Sequence, residues 1–378
     1  MGVHQCWCAP IFFIGIPMER QVKLQAKNVR KTYGPVVALE GTSIDLLEGE
    51  FLTLLGPSGS GKTTLLMAIA GLNDPDSGEI WIDGELMTYT PSHQRGLGMV
   101  FQNYALFPHL TIYENIAFPL KMRKMSKDAI DEQVARVLST VQLPDVQERF
   151  PAELSGGQQQ RIALARCFVY EPSIILMDEP LGALDKKLRD SLQREIKHLH
   201  NNLGITVIYV THDQEEAMVM SDRVCLMNEG RIEQIGSPSD LYFRPKSIFA
   251  ADFLGESNLF AGKVVSQAAE GMTIERADGV AVSGICDAQV SNGETVHYMI
   301  RPENIRVSLD TGSEENLTGG KLKETIMIGQ LTKYFLELTD ESELVATTLT
   351  GSQKDSLQDG DQVYFGWSTS DARIMLGS

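Results

Sequence analysis

From residue 21 onward, short apolar runs alternate with polar stretches of helical spacing, the pattern of a mostly parallel sheet linked by crossover helices. Phe51-Leu-Thr-Leu-Leu55, Ile174-Ile-Leu-Met177 and Ile205-Thr-Val-Ile-Tyr-Val210 are short, apolar and bounded by breakers, so they are predicted as buried parallel strands. Ser77-Gly78 and Asp83-Gly84 around Glu-Ile-Trp-Ile, and Asn228-Glu-Gly230 before Arg-Ile-Glu-Gln-Ile235, are hairpin turns that add antiparallel pieces. Between about residues 112 and 170 the strand pattern gives way to helical spacing, as in Ile130, Val134, Val137, Leu138 and Val141. After Pro245 and Gly255, short β-like runs recur with turns between them, among them Thr295-Val-His-Tyr-Met-Ile300 and Leu331-Thr-Lys-Tyr-Phe-Leu-Glu-Leu338. That rhythm predicts a small β-barrel or sandwich.

The expected organisation is a leader over residues 1–20, an α/β part over 21–255 with a helical insertion at about 103–170, and a small all-β, OB-like part over 256–378. A chain of 378 residues is long enough for two or three domains, which excludes a disordered tail or a disulfide miniprotein. With 33 Lys+Arg against 50 Asp+Glu the formal net charge is -17, and residues 258–378 alone hold 9 against 18. Phosphate-backbone binding needs basic residues, so nucleic acid is a poor partner even for a barrel of oligonucleotide-binding type. No stretch approaches the roughly 20 apolar residues of a spanning helix. Cysteines at 6, 8, 167, 225 and 286 make no regular framework, which fits a reducing compartment. Residues 1–9 lack Lys and Arg, the basic stretch that opens a secretory signal, so Pro10-Ile-Phe-Phe-Ile-Gly-Ile-Pro17 makes a weak candidate for one. His4, Cys6 and Cys8 fall short of the four ligands of a structural zinc site. Residues 1–17 are read as a dispensable or mis-assigned extension.

Gly56-Pro-Ser-Gly-Ser-Gly61-Lys62-Thr63 fits G-x-x-x-x-G-K-[ST], directly after an apolar strand and before the helical Thr64-Leu-Leu-Met-Ala-Ile-Ala70. Such glycines let backbone N–H groups turn toward phosphate oxygens, the helix presents its positive end, and Lys62 supplies a charge for the β- and γ-phosphates. Thr63 offers its hydroxyl to Mg²⁺. The plain alternative is a strand-to-helix turn without a ligand. Asp178 and Glu179 end an apolar strand, where a P-loop protein places its Walker-B carboxylate. Strand alternation predicts that the two side chains diverge, Asp178 toward the metal and Glu179 as general base for the attacking water. A surface acid pair is the competing reading.

Leu154-Ser155-Gly156-Gly157-Gln158 precedes Asp178 by about twenty residues. Ser155 can cap the helix that starts there, Gln158 completes a capping box, and the two glycines expose N–H groups, which makes a second anion site. With this pentapeptide the chain resembles the ATP-binding cassette (ABC) ATPases over essentially all of residues 21–378. The resemblance implies an α/β P-loop ABC core with a helical insertion, followed by a small all-β, OB-like regulatory domain. It implies ATP on Tyr33, Gly56, Pro57, Ser58, Gly59, Ser60, Gly61, Lys62, Thr63, Thr64 and Gln102, with Mg²⁺ held by Thr63, Gln102 and Asp178. Tyr33, placed before the first long crossover, would stack on adenine; a core tyrosine is the alternative. Gln102 would be the Q-loop residue, Leu181-Gly-Ala-Leu-Asp185 the D-loop with Asp185 at the dimer contact, and His212 the switch histidine. Glu179, His212 and Lys62 would be catalytic.

In this family Ser155, Gly156, Gly157 and Gln158 would act on ATP held by a second copy, so the resemblance implies a homodimer. It also implies two separate membrane permeases and, indirectly, a solute-binding protein, with the chain on the cytoplasmic face of the membrane. Ile300-Arg301-Pro302-Glu303-Asn304-Ile305 resembles the regulatory barrel of importer ATPases for sugars, polyamines, sulfate and ferric iron. Phe249-Ala-Ala-Asp-Phe-Leu-Gly255-Glu-Ser-Asn258 is most similar to the spermidine/putrescine importers. A soluble ABC protein that uses ATP as a switch and binds a regulator through its acidic barrel is the alternative of another class. Residues 112–125 form an apolar strip that offers either a socket for a permease helix or a core face.

Overall fold

The computed structural model describes residues 21–376 apart from 183–184, 269–270, 340 and 352–356. The leader, with His4, Cys6 and Cys8, and positions 183–184 of the 181–185 stretch lie outside the described residues. In chain order the first part contains β1 (Val22–Tyr33), β2 (Val36–Leu47), β3 (Phe51–Leu55), α1 (Lys62–Ala70), β4 (Ser77–Ile82), β5 (Glu85–Leu86) and β6 (Gly98–Val100). There follow α2 (Ile112–Met122), α3 (Lys127–Thr140), α4 (Gly156–Phe168), β7 (Ile174–Asp178), α5 (Lys186–Leu203), β8 (Thr206–Thr211) and α6 (Gln214–Met220). It closes with β9 (Arg223–Asn228), β10 (Arg231–Gly236), α7 (Pro238–Phe243) and α8 (Ile248–Phe253).

A six-stranded sheet in the order β10-β9-β3-β8-β7-β6 carries the apolar runs, parallel except for the β9–β10 hairpin. Buried on both faces, its strands divide their side chains between two cores. Phe51, Ile175, Met177, Val207 and Tyr209 pack under the helices of residues 112–168. Leu52, Leu54, Ile174, Leu176, Ile208 and Val210 pack against α1 and a second sheet. The spacing of Ile130, Val134, Val137, Leu138 and Val141 indeed makes one buried helical face.

That second sheet, antiparallel in the order β2-β1-β4-β5, departs from the expectation of parallel strands and crossovers from residue 21. β1 and β2 form a long hairpin that turns at Gly34, where φ is 58°. Tyr33 therefore sits at a hairpin tip and not before a crossover, and at 48% exposure it is not a core tyrosine. The strip at 112–125 divides between its two readings. Ile112, Ile116, Ala117 and Leu120 are core, while Phe118, Met122 and Met125 are exposed.

The remaining strands are β11 (Asn258–Ala268), β12 (Gly271–Arg276), β13 (Ala281–Gly284), β14 (Thr295–Ile300), β15 (Arg306–Ser308) and β16 (Asn316–Ile328). After them come β17 (Leu331–Glu337), β18 (Glu343–Leu349), β19 (Gln362–Trp367) and β20 (Ala372–Leu376). They make two five-stranded antiparallel sheets around one core that includes Tyr298, Leu322, Phe365 and Trp367. Arg301, 1% exposed, ties this all-β part to the first. Its Nη1 donates to the carbonyls of Ala251, Gly255 and Glu256 and to Ser257 Oγ, and its Nη2 to Tyr242 O. These acceptors stand in for water at the two terminal nitrogens of the buried cation, while Nε has no hydrogen-bond partner among the described residues.

Candidate nucleotide site

Strand register places the candidate residues together. Leu55 pairs with Thr211, Val210 with Asp178, and Met177 with Val100, so neighbouring parallel strands end at one level. Gly56, His212, Glu179 and Gln102 each follow one of these ends, at the edge where open α/β sheets bind ligands.

The loop after β3 wraps into α1, whose cap, Gly61, has φ 97° and offers no side-chain acceptor. A Cβ there would meet Ala38 O at 2.4 Å, so glycine is required both by φ and by space. Ser60 N–H donates to Pro57 O at 3.3 Å, and Gly230 N–H donates to Ser60 O, which braces the loop from the β9–β10 turn. The N–H groups of Gly59, Gly61, Lys62 and Thr63 have no partner among the described residues. Those on the cap and first turn of α1 make up the helix's positive end, as an anion cradle requires. Lys62 is buried, and its Nζ donates to Gly56 O and Pro57 O at 2.8 Å each and to Ser60 Oγ at 3.4 Å. Burial lowers its pKa, against the attraction of Glu179 and Asp178.

Thr63 Oγ1 donates to Asp178 Oδ1 at 3.1 Å. Burial raises the Asp178 carboxyl above its ordinary value, partly offset by that hydrogen bond. The next residue does not continue the strand. Glu179 has φ 43°, and its N–H donates to Val210 O at 3.0 Å. The two acids diverge because the backbone turns left-handed at Glu179, which corrects the prediction from strand alternation. Such a conformation in a non-glycine residue costs on the order of 1–3 kcal/mol and persists where surrounding structure enforces it. Glu179 Oε1 lies 3.1 Å from His212 Nδ1. A Cβ on Gly182 would lie 3.9 Å from both Gln102 Nε2 and Glu179 Oε2, so Gln102 borders the same space.

Tyr33, Ser155 and Asp185 stand apart from this cluster on other elements. Lys31 Nζ sits 5.6 Å from the Tyr33 ring centroid, and the Asn73 amide donates to the Tyr33 hydroxyl. Sequence reading missed Asn73, because forty residues separate the pair and no local pattern marks it. Ser155 N-caps α4 through a complete capping box: Ser155 N–H to Gln158 Oε1 at 3.0 Å, Gln158 N–H to Ser155 Oγ at 3.4 Å. Gly156 and Gly157 keep N–H groups without a partner among the described residues. Asp185 N-caps α5, accepting from Leu188 N–H at 3.0 Å.

The chain matches known proteins along nearly all its length. Residues 39–182 match the ABC transporter family and residues 298–375 the TOBE domain. Relatives called spermidine/putrescine import ATP-binding protein PotA include that of Rubrobacter xylanophilus, 42% identical over 360 residues and 95% of each chain. The Bacillus cereus protein of the same name is 43% identical over 94% of this chain and 98% of its own. Among solved structures, cbiO1 from Clostridium perfringens, part of the ABC transporter complex cbiONQ, aligns with TM-score 0.55 and 29% identity. It covers 58% of this chain and 90% of that one. The dimeric bacterial ABC transporter cassette MJ0796 aligns with TM-score 0.51 and 35% identity, over 57% of this chain and 98% of its own. With a phosphate cradle, a Walker-B acid and a capped glycine signature on one α/β core, the chain belongs to the ABC transporter family, among the PotA-type ATP-binding proteins.

Proposed function

We propose that the chain is the ATP-hydrolysing subunit of an importer and drives spermidine/putrescine uptake through separate integral-membrane permease subunits supplied by a solute-binding protein. The observation that carries this reading is the convergence at the P-loop mouth of Thr63 with Asp178 and of Glu179 with His212. The relatives' shared name supports the polyamine cargo.

ATP phosphates take the unpaired N–H groups of the loop, and Lys62 exchanges the Gly56 and Pro57 carbonyls for phosphate oxygens. Tyr33, exposed at its hairpin tip, receives the adenine face. Thr63, Asp178 and Gln102 offer hard oxygen donors with one carboxylate, a set that fits Mg²⁺ sharing phosphate ligands. That ion would neutralise charge on the β- and γ-phosphates. Glu179 accepts a proton from the attacking water, and His212, engaged through Nδ1, keeps its other ring nitrogen for the γ-phosphate. Ser155 accepts from Gln158 N–H and still has its own O–H to donate, so with Gly156 and Gly157 it can cover the nucleotide of a second copy. Asp185 lies at that dimer contact.

We place the division between the ATPase and the regulatory barrel at 255–256, between α8 and β11. The exposed Phe118, Met122 and Met125 beside the Q-loop form the face offered to a permease, which holds the subunit at the cytoplasmic surface of the membrane. No helix among the described residues is long and apolar enough to cross a membrane.

Purification from detergent with two membrane subunits, then ATP-driven uptake into proteoliposomes, tests this. Accumulation of spermidine or putrescine is the expected result. Uptake of a sugar, sulfate or ferric iron instead would replace the cargo, and a free dimer without membrane subunits would replace transport by an ATP switch.

A further inference from the structure

Beneath His212 lies a buried polar network to which hydrolysis, as described above, gives no task. Glu216 on α6 is 2% exposed and accepts from Tyr209 Oη at 2.8 Å and Thr211 Oγ1 at 2.7 Å. The Thr211 hydroxyl also accepts from Asp213 N–H at 3.0 Å. Asp213 caps α6 through Oδ1, taking the N–H groups of Glu215 and Glu216 at 2.9 and 3.3 Å. Its other oxygen, Oδ2, accepts from Arg189 Nη1 at 2.8 Å, and Arg189 Nε lies 3.8 Å from Glu216 Oε1. Both neighbours of His212 in the chain are thus held by side chains, whereas the imidazole itself is 58% exposed and reaches Glu179.

Arg189 belongs to the first turn of α5, and that turn has two further attachments. Asp185 caps it. Leu188 fills the space beside the signature, where a Cβ at Gly157 would lie 3.0 Å from Leu188 Cδ1. One helical turn therefore touches the signature through Leu188, the D-loop through Asp185 and the His212 turn through Arg189.

We propose that Arg189 is a positioning residue of the ATPase reaction, registering the turn that carries His212 against the helix turn that packs on the signature. The proposal rests on the reading of Glu179 and His212 as ATPase groups. A purely structural ion pair would act elsewhere. Without Arg189, Glu216 still has two hydroxyl donors and Asp213 still caps α6, so the fold's main satisfactions persist. What disappears is the lateral tie across the top of α5, and with it the placement of residue 212. A guanidinium fork suits this role because it can address two carboxylates at once.

The test uses the full chain and steady-state ATP hydrolysis. Arg189→Met is expected to lower kcat roughly 10- to 100-fold, the range a displacement of about 1 Å can produce, with KM for ATP within about twofold. Asp213→Asn keeps the cap oxygen and removes the charge that Arg189 addresses, so it should reproduce the kcat loss. The double variant should lose no more than either single one, the mark of one shared interaction. Unchanged kcat in both single variants, losses that multiply in the double variant, or a matching rise in KM would overturn the proposal. So would a loss of folded protein that accounts for all missing activity. His212→Ala separates the two levels: if it hydrolyses ATP like the wild type, the reading of the site fails. If it is inactive while Arg189→Met is fully active, Arg189 alone loses its role.

Discussion

The chain contains two glycine-rich turns that open helices, and they are finished differently. At the P-loop, α1 begins on Gly61 with no side-chain cap, and four N–H groups have no partner among the described residues. At the signature, α4 begins on Ser155 inside a complete capping box, which leaves the N–H groups of Gly156 and Gly157. Unpaired donors at a helix start attract an anion in proportion to their number and to the charge beside them. The P-loop, with Lys62, is built to hold a nucleotide. The signature, half satisfied by its own side chains and without a lysine, offers an anion fewer donors and less charge.

The glycines show the same contrast. Gly61 has positive φ and a carbonyl 2.4 Å from any Cβ, so the fold itself demands it. Gly157 has ordinary helical geometry, and a Cβ there would press on the end of the Leu188 side chain. Within one chain a side chain at Gly157 would need only the flexible end of Leu188 to give way, so the fold's demand for glycine there is weaker than at Gly61.

Perturbing each side should separate holding from hydrolysis and release. Removing the base is expected to have the largest effect: Glu179→Gln should lower turnover about 10²- to 10⁴-fold while ATP still binds, measured by phosphate release and nucleotide titration. Near-normal turnover would take Glu179 out of that role. Next, Lys62→Ala should weaken ATP binding about 10- to 100-fold, the equivalent of a charged hydrogen bond worth roughly 1.5–3 kcal/mol. A loss confined to kcat would erase the distinction between the two turns. Third, Gly61→Ala should cost on the order of 1–3 kcal/mol from backbone conformation alone, with the carbonyl clash in addition. Gly157→Ala should stay within about 1 kcal/mol of the parent in chemical denaturation. Equal destabilisation would show that the signature glycine serves the single chain after all.

The smallest expected effect concerns Asp178, whose folded pKa burial raises. A carboxyl shifted upward contributes stability below its unfolded pKa and loses it as pH rises through the folded one. Asp178→Asn, neutral throughout, should therefore gain on the wild type as pH rises from about 4, the ordinary aspartate value. A constant difference in melting temperature across that range would mean no raised pKa.

Legibility in the sequence followed locality. Buried parallel strands announce themselves as apolar runs, and each phosphate-binding loop adjoins one, so Gly56, Asp178 and His212 fall at strand ends that register then aligns, with Lys62 opening the helix after the first. The β1–β2 hairpin was hidden because register shifts between residues 22 and 32 interrupt its two-residue period. The divergence of Asp178 and Glu179 depends on one left-handed residue, which the sequence does not mark. Arg189 reads as part of a solvated helical face, and its partners at 213 and 216 become neighbours only when α5 packs on α6.

The central claim is that the P-loop of one chain is completed by the signature of another. Sedimentation of Glu179→Gln with and without ATP and Mg²⁺ tests it most directly. The account predicts monomers without nucleotide and a dimer retaining two ATP molecules with it, reversed when Ser155→Arg is added to the same chain. A Glu179→Gln chain that occludes ATP as a monomer, or a dimer indifferent to Ser155→Arg, would contradict it.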